Sequence, residues 1–85
     1  MLFLFDEPTT GAFWMKDTDI PLSIGFIGED DQLVDLVDMQ PCSSDPCRLY
    51  TSRDAYVFAL EMNQGWFDAH GIETGDRVDV RIATE

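Results

Sequence analysis

The apolar positions of this chain recur mostly with period two, the mark of half-buried strands rather than helices. Met1–Phe5 (MLFLF) is apolar throughout and reads as a strand buried on both faces. Asp6–Gly11 (DEPTTG) reads as a loop, and Ala12–Lys16 as a second, aromatic-rich strand. Asp17–Pro21 (DTDIP) is a polar connection closed by proline. In the strand Leu22–Ile27, Leu22, Ile24 and Phe26 share one face, with Ser23 and Gly25 on the other. Gly28–Asp31 (GEDD) predicts a hairpin turn into Gln32–Met39, whose faces are both mixed, so that strand is half covered.

Further along, Pro41–Ser52 (PCSSDPCRLYTS) holds two prolines and two cysteines and reads as a structured loop. Asp54–Met62 is another strand, with Ala55, Val57, Ala59 and Glu61 opposite Tyr56, Phe58, Leu60 and Met62. Asn63 is the expected N-cap of a two-turn helix over Gln64–His70, which Gly71 ends as a C′ glycine. Ile72–Gly75 (IETG) is a turn. Asp76–Ala83 has the cleanest alternation, Val78, Val80 and Ile82 inward and Arg77, Asp79 and Arg81 outward. The pattern as a whole is mainly β, a β-rich α+β class with one short helix, in a single domain over 1–85 without repeats.

Charge narrows the function classes. Seventeen acids against one Lys and four Arg leave the chain at -12. Nucleic acid is held by pairing phosphates with Lys and Arg, so a nucleic-acid partner is excluded, and an anionic membrane surface is disfavoured for the same reason. Twelve of the acids are Asp, a balance found in salt-adapted proteins, and both a saline or marine source and an ordinary one accommodate it. The longest apolar runs, Met1–Phe5 and Tyr56–Leu60, are too short to insert across a membrane, and no signal-peptide pattern occurs.

Several blocks carry a resemblance. Met1-Leu2-Phe3, Phe13-Trp14-Met15-Lys16-Asp17-Thr18 and Ile20-Pro21-Leu22-Ser23-Ile24 are similar, in order, to the DUF192 (UPF0127) family. So are Met39-Gln40-Pro41-Cys42, Ala59-Leu60-Glu61-Met62-Asn63, Gly65-Trp66-Phe67 and Gly71-Ile72 with Gly75-Asp76. The resemblance implies a small domain with a barrel-like mixed sheet, often in exported or tethered proteins, and no established reaction. Members usually carry a further segment with a first strand ahead of the MLF block. Its lack here is expected to leave a strand edge unpaired, which a second copy would cover in a homodimer.

Candidate chemistry is sparse. Cys42 and Cys47 can close a short disulfide loop, which suits an exported ancestor, or stand as two free thiols. A zinc site needs two more ligands and only His70 remains, so no metal and no cofactor is implied. His70 is explained by favourable placement at a helix C-terminus. Glu61 ends an apolar strand, where it could bond the helix start, pair with Lys16 or act as a general acid or base.

An exposed Trp14 or Trp66 could stack a sugar or an apolar ligand, and Lys16 beside Trp14 is the best placed cation for an anion. The tentative ligand set is therefore Trp14, Lys16, Glu61, Asn63 and Trp66, in a pocket joining the FWMK strand, the PCSSDPC loop and the helix start. The expected function is a non-catalytic accessory module binding a partner, a small molecule or a carbohydrate. The alternatives are a purely structural domain and a small hydrolase using Glu61 or Cys42 with His70.

Overall fold

The computed structural model describes residues 1–81. Among these residues the strands are β1 (Leu2–Thr9), β2 (Phe13–Trp14), β3 (Leu22–Ile27), β4 (Leu33–Met39), β5 (Leu49–Tyr50) and β6 (Tyr56–Asn63), followed by the single helix α1 (Trp66–Ala69). Four strands form one sheet in the order β1-β6-β3-β4, and β2 and β5 form a separate ribbon. Every pairing between these strands is antiparallel, so the sheet is neither mixed nor closed into a barrel. Closure needs the two edge strands to meet, and here β1 and β4 stay at opposite borders.

The centre of the sheet is β3, flanked on both sides and buried from Ser23 to Ile27. Ile24 lies opposite Val37 and Glu61, and Phe26 opposite Ala59. Directly opposed residues share a face. On that face Ile24, Phe26, Met39, Tyr56 and Ala59 form the main core with Met15 and Tyr50, and Phe3, Phe13 and Val37 pack against it. The β2–β5 ribbon therefore covers this side.

The other side carries Ser23, Gly25 and Ile27. A Cβ on Gly25 would come within 3.0 Å of Phe67 Cζ and of Leu33 Cδ1. The missing side chain leaves the room in which the Phe67 ring of α1 rests on the sheet. Helix and ribbon thus sit on opposite faces.

The turn chemistry follows the residues. Gly28 N–H donates to the Gln32 carbonyl and Asp31 N–H to that of Gly28, with Asp31 left-handed at φ 63. This is a three-residue hairpin loop whose last position needs positive φ, which Asp tolerates better than most residues. At the end of α1, Gly71 N–H bonds the Asp68 carbonyl and Ile72 N–H that of Phe67, with Gly71 at φ 67. That is a Schellman stop at the residue expected for it.

Four expectations change. The strand Met1–Phe5 is not buried on both faces: Leu2, Leu4 and Phe5 are exposed, because β1 is an edge with the ribbon over only one side. The stretch Asp6–Thr9 continues β1 rather than looping; it carries an irregularity in pairing, which an edge strand accommodates even with Pro8. Asn63 is not a helix cap: it ends β6 opposite Leu22, and the cap position is Gly65, left-handed at φ 89. From Asp76 to Arg81 no strand forms; there is one bridge, Gln32 with Arg77, although Val78 and Val80 are half buried between exposed neighbours. Ile82 and Ala83 lie outside the described residues.

Candidate functional site

On the helix side of the sheet lies a cleft of about 600 Å³. Its floor is Ser23 of β3, and β4 contributes Leu36 and Asp38. Phe67 and Ile72 supply apolar wall, while Gln64, Asp68, Glu73 and Thr74 bring polar groups. Gly65, in the left-handed region, turns the chain from β6 into α1 and so places one wall. The Schellman stop returns the chain through Ile72–Thr74 to form another.

The floor is tightly organised. Ser23 is only 5% exposed. Its hydroxyl donates to Asp38 Oδ1 at 2.8 Å and accepts from the Gly65 N–H at 3.3 Å. Both partners are across chain turns from Ser23, so one buried hydroxyl ties β3 to β4 and to the helix entry. Among the described residues, the lining includes three carboxylates and no Lys, Arg or His. The cleft therefore presents acceptors and favours a ligand rich in N–H or O–H donors. No group of three or more His, Cys, Asp or Glu among the described residues is arranged to hold a metal ion.

The residues singled out from sequence lie elsewhere. Trp14 and Lys16 meet the PCSSDPC loop on the ribbon side. Lys16 Nζ stands 5.7 Å from the Trp14 ring centroid and 2.6 Å from Asp45 Oδ2. In this loop the Cys42 and Cys47 sulfurs are bonded, with the Cα atoms 5.9 Å apart. The Asp17 N–H bonds the Cys42 carbonyl, which stitches loop to strand. The helix start is not joined to them, because it lies across the sheet.

Glu61 and Asn63 share the ribbon face of β6 through their pairing with Ile24 and Leu22. Burial pushes the Glu61 carboxyl above the usual carboxylate range, and the nearby Met1 ammonium pulls the other way. Its carboxylate makes no ion pair with Lys16, whose ammonium is taken by Asp45. Trp66 stacks on His70 at 4.2 Å between centroids, and His70 Nδ1 donates to the Trp66 carbonyl. His70 thus closes the helix end, and Cys42 is occupied by its bond to Cys47 on the other side of the sheet.

Sequence reasoning missed the cleft. Ser23, Asp38, Gln64 and Glu73 do not form a motif; they come together only when β3, β4 and α1 are assembled. The available signal was Ser23 and Gly25 opposite an apolar face in a central strand, where small residues mark close approach of something else.

A four-stranded antiparallel sheet, with a helix on one face and a stapled ribbon on the other, defines a small β-rich α+β domain. The chain belongs to the DUF192 family, described as "Uncharacterized ACR", whose model matches residues 1–80. Two solved structures resemble it. One, a candidate transcription regulator from Sinorhizobium meliloti 1021, is 33% identical with a TM-score of 0.79, over 91% of this chain and 58% of that one. The other, a protein of unknown function from Novosphingobium aromaticivorans DSM 12444, is 31% identical with a TM-score of 0.83, over 94% and 56%. This chain thus spans a little over half the length of each. No curated protein matches it.

Proposed function

We propose that this chain is a non-catalytic binding domain whose partner surface is the β1 border, where a second copy pairs to form a homodimer. One observation carries the reading: β1 is an edge strand, with Leu2 and Leu4 exposed, in a chain of charge -12. Met1 and Glu61 exchange both backbone hydrogen bonds, at 2.7 and 2.8 Å. In an antiparallel ladder such pairs alternate, so the N–H and C=O of Leu2 and Leu4 point to the outer border. Beside them on the helix side, Phe58, Leu60 and Met62 are only half buried.

The apolar row at Leu2 and Leu4, on an edge that no other strand among the described residues pairs, is a template for strand addition, and a two-fold axis lets β1 pair with itself. Light scattering across a concentration series tests it. A dimer is expected, tightening as salt screens the repulsion between two acidic copies, and Leu4→Lys is expected to be monomeric. A monomer at every concentration and salt level refutes it.

A second reading, favoured by the preformed cleft and its buried Ser23, is a small-ligand site for a donor-rich molecule. Gln64, Asp68 and Thr74 would set its rim. A fragment screen by amide NMR is expected to shift Gln64 and Thr74 together; shifts confined to other regions overturn it. A regulatory activity of the kind named for the S. meliloti protein fits such a domain through a ligand or a protein partner, because five basic residues against seventeen acids disfavour direct contact with phosphates.

A further inference from the structure

We propose that the outward face of the β2–β5 ribbon is a second binding surface, a platform on which a neutral pyranose ring stacks against Trp14 and Leu49 while the Lys16–Asp45 pair holds its hydroxyls. The ribbon has two faces with opposite duties. Phe13 and Tyr50 are paired and turn inward to the core. Trp14 and Leu49 are the next pair and turn outward, at 55% and 62% exposure. Two large apolar side chains thus stand side by side on solvent, and the C–H face of a sugar ring suits an indole.

The rim supplies matched polar groups. Lys16 Nζ lies over the Trp14 ring and gives one of its three N–H bonds to Asp45 Oδ2, leaving donors free. Asp45 is exposed and keeps its other oxygen as an acceptor. The pair is held in place before any ligand arrives, since Asp45 sits in the loop closed by Cys42–Cys47 and the Cys42 carbonyl accepts from the Asp17 N–H. A preorganised rim lowers the ordering cost of binding.

The same features reject other occupants. A free anion meets Asp45, and a free cation meets Lys16, so a ligand with both donors and acceptors and no net charge fits best. A protein interface needs about 800 Å² from each partner, beyond what two side chains offer. The surface is across the sheet from the helix-side cleft, and its outward Trp14 and Leu49 face away from Phe3 of β1, on which Phe13 packs, so it does not depend on either.

The test uses the whole 85-residue chain labelled with 5-fluorotryptophan and followed by fluorine NMR, with cellohexaose, maltohexaose and chitohexaose as probes. Trp14→Phe assigns the two resonances. At least one probe is expected to move the Trp14 signal saturably and leave Trp66 in place. Trp14→Ala, with its circular dichroism unchanged, is expected to weaken that binding by about tenfold or more, as truncation of a central Trp anchor does. Lys16→Met is expected to weaken it without moving the fold. The proposal is overturned if none of the three probes moves the Trp14 signal at millimolar concentration. Equal affinity in Trp14→Ala, or tighter binding of a polyuronate than of any neutral probe, overturns it as well.

Discussion

Gly25→Ala is the sharpest probe of how the helix is seated. In an ordinary strand this change helps by about 0.4–1 kcal/mol, because alanine loses less chain entropy on folding. Gly25 has no positive φ that would forbid it. The new methyl, however, would lie 3.0 Å from Phe67 Cζ, 3.2 Å from Phe67 Cε1 and 3.0 Å from Leu33 Cδ1. Phe67 is 5% exposed and Leu33 1%, so neither has solvent to retreat into. Overpacking of this kind costs about 1–3 kcal/mol. The difference runs from about zero to a loss of about 2.6 kcal/mol, with its midpoint at about 1.3 kcal/mol, or roughly 5–10 °C in Tm for a domain of this size.

Urea unfolding measures it, with Phe67→Leu as the second arm of a cycle. Phe67→Leu alone should cost stability, and the double variant should cost less than the two singles added, because leucine vacates the space the methyl needs. A stabilising Gly25→Ala, or strictly additive costs, would refute the placement of α1 on β3.

Two further predictions concern the ribbon side of the sheet. Mass spectrometry without reductant should find no free thiol, and replacing Cys42 and Cys47 by Ala should cost about 2 kcal/mol, the closure entropy of so short a loop. Glu61→Gln should stabilise the protein at neutral pH. Burial raises the folded-state pKa of Glu61, so its ionised form opposes folding above that pKa, and the opposition disappears once pH falls below the unfolded value. The advantage of the Glu61→Gln variant over the wild type should therefore shrink on acidification through the carboxylate range; an advantage that grows would contradict the cause assigned.

The sequence was most legible where local chemistry and burial agree. Leu22–Ile27, the GEDD hairpin and Gln32–Met39 appear within a residue of β3, its turn and β4, since alternation and turn residues act over short range. Gly71 ends the helix as expected, because a Schellman stop needs only a residue free to adopt positive φ. Legibility failed where the answer depended on distant neighbours. Met1–Phe5 looks like a buried strand, yet its apolar side chains meet the ribbon on one side and solvent on the other. Arg77–Arg81 alternates well but lacks a partner strand, and alternation without a ladder does not make a strand. Trp14 and Lys16 were found next to each other in sequence, whereas Ser23, Asp38 and Glu73 are brought to one cleft only by the assembled fold.

Hydrogen exchange at β1, read amide by amide by NMR at low and high protein concentration, tests the proposed border most directly. Phe3 N–H faces β6 and should be protected at both concentrations, while Leu4 N–H faces outward and should become protected only as copies associate. Fast exchange at Leu4 at every concentration, with Phe3 still protected, would show a border that nothing joins.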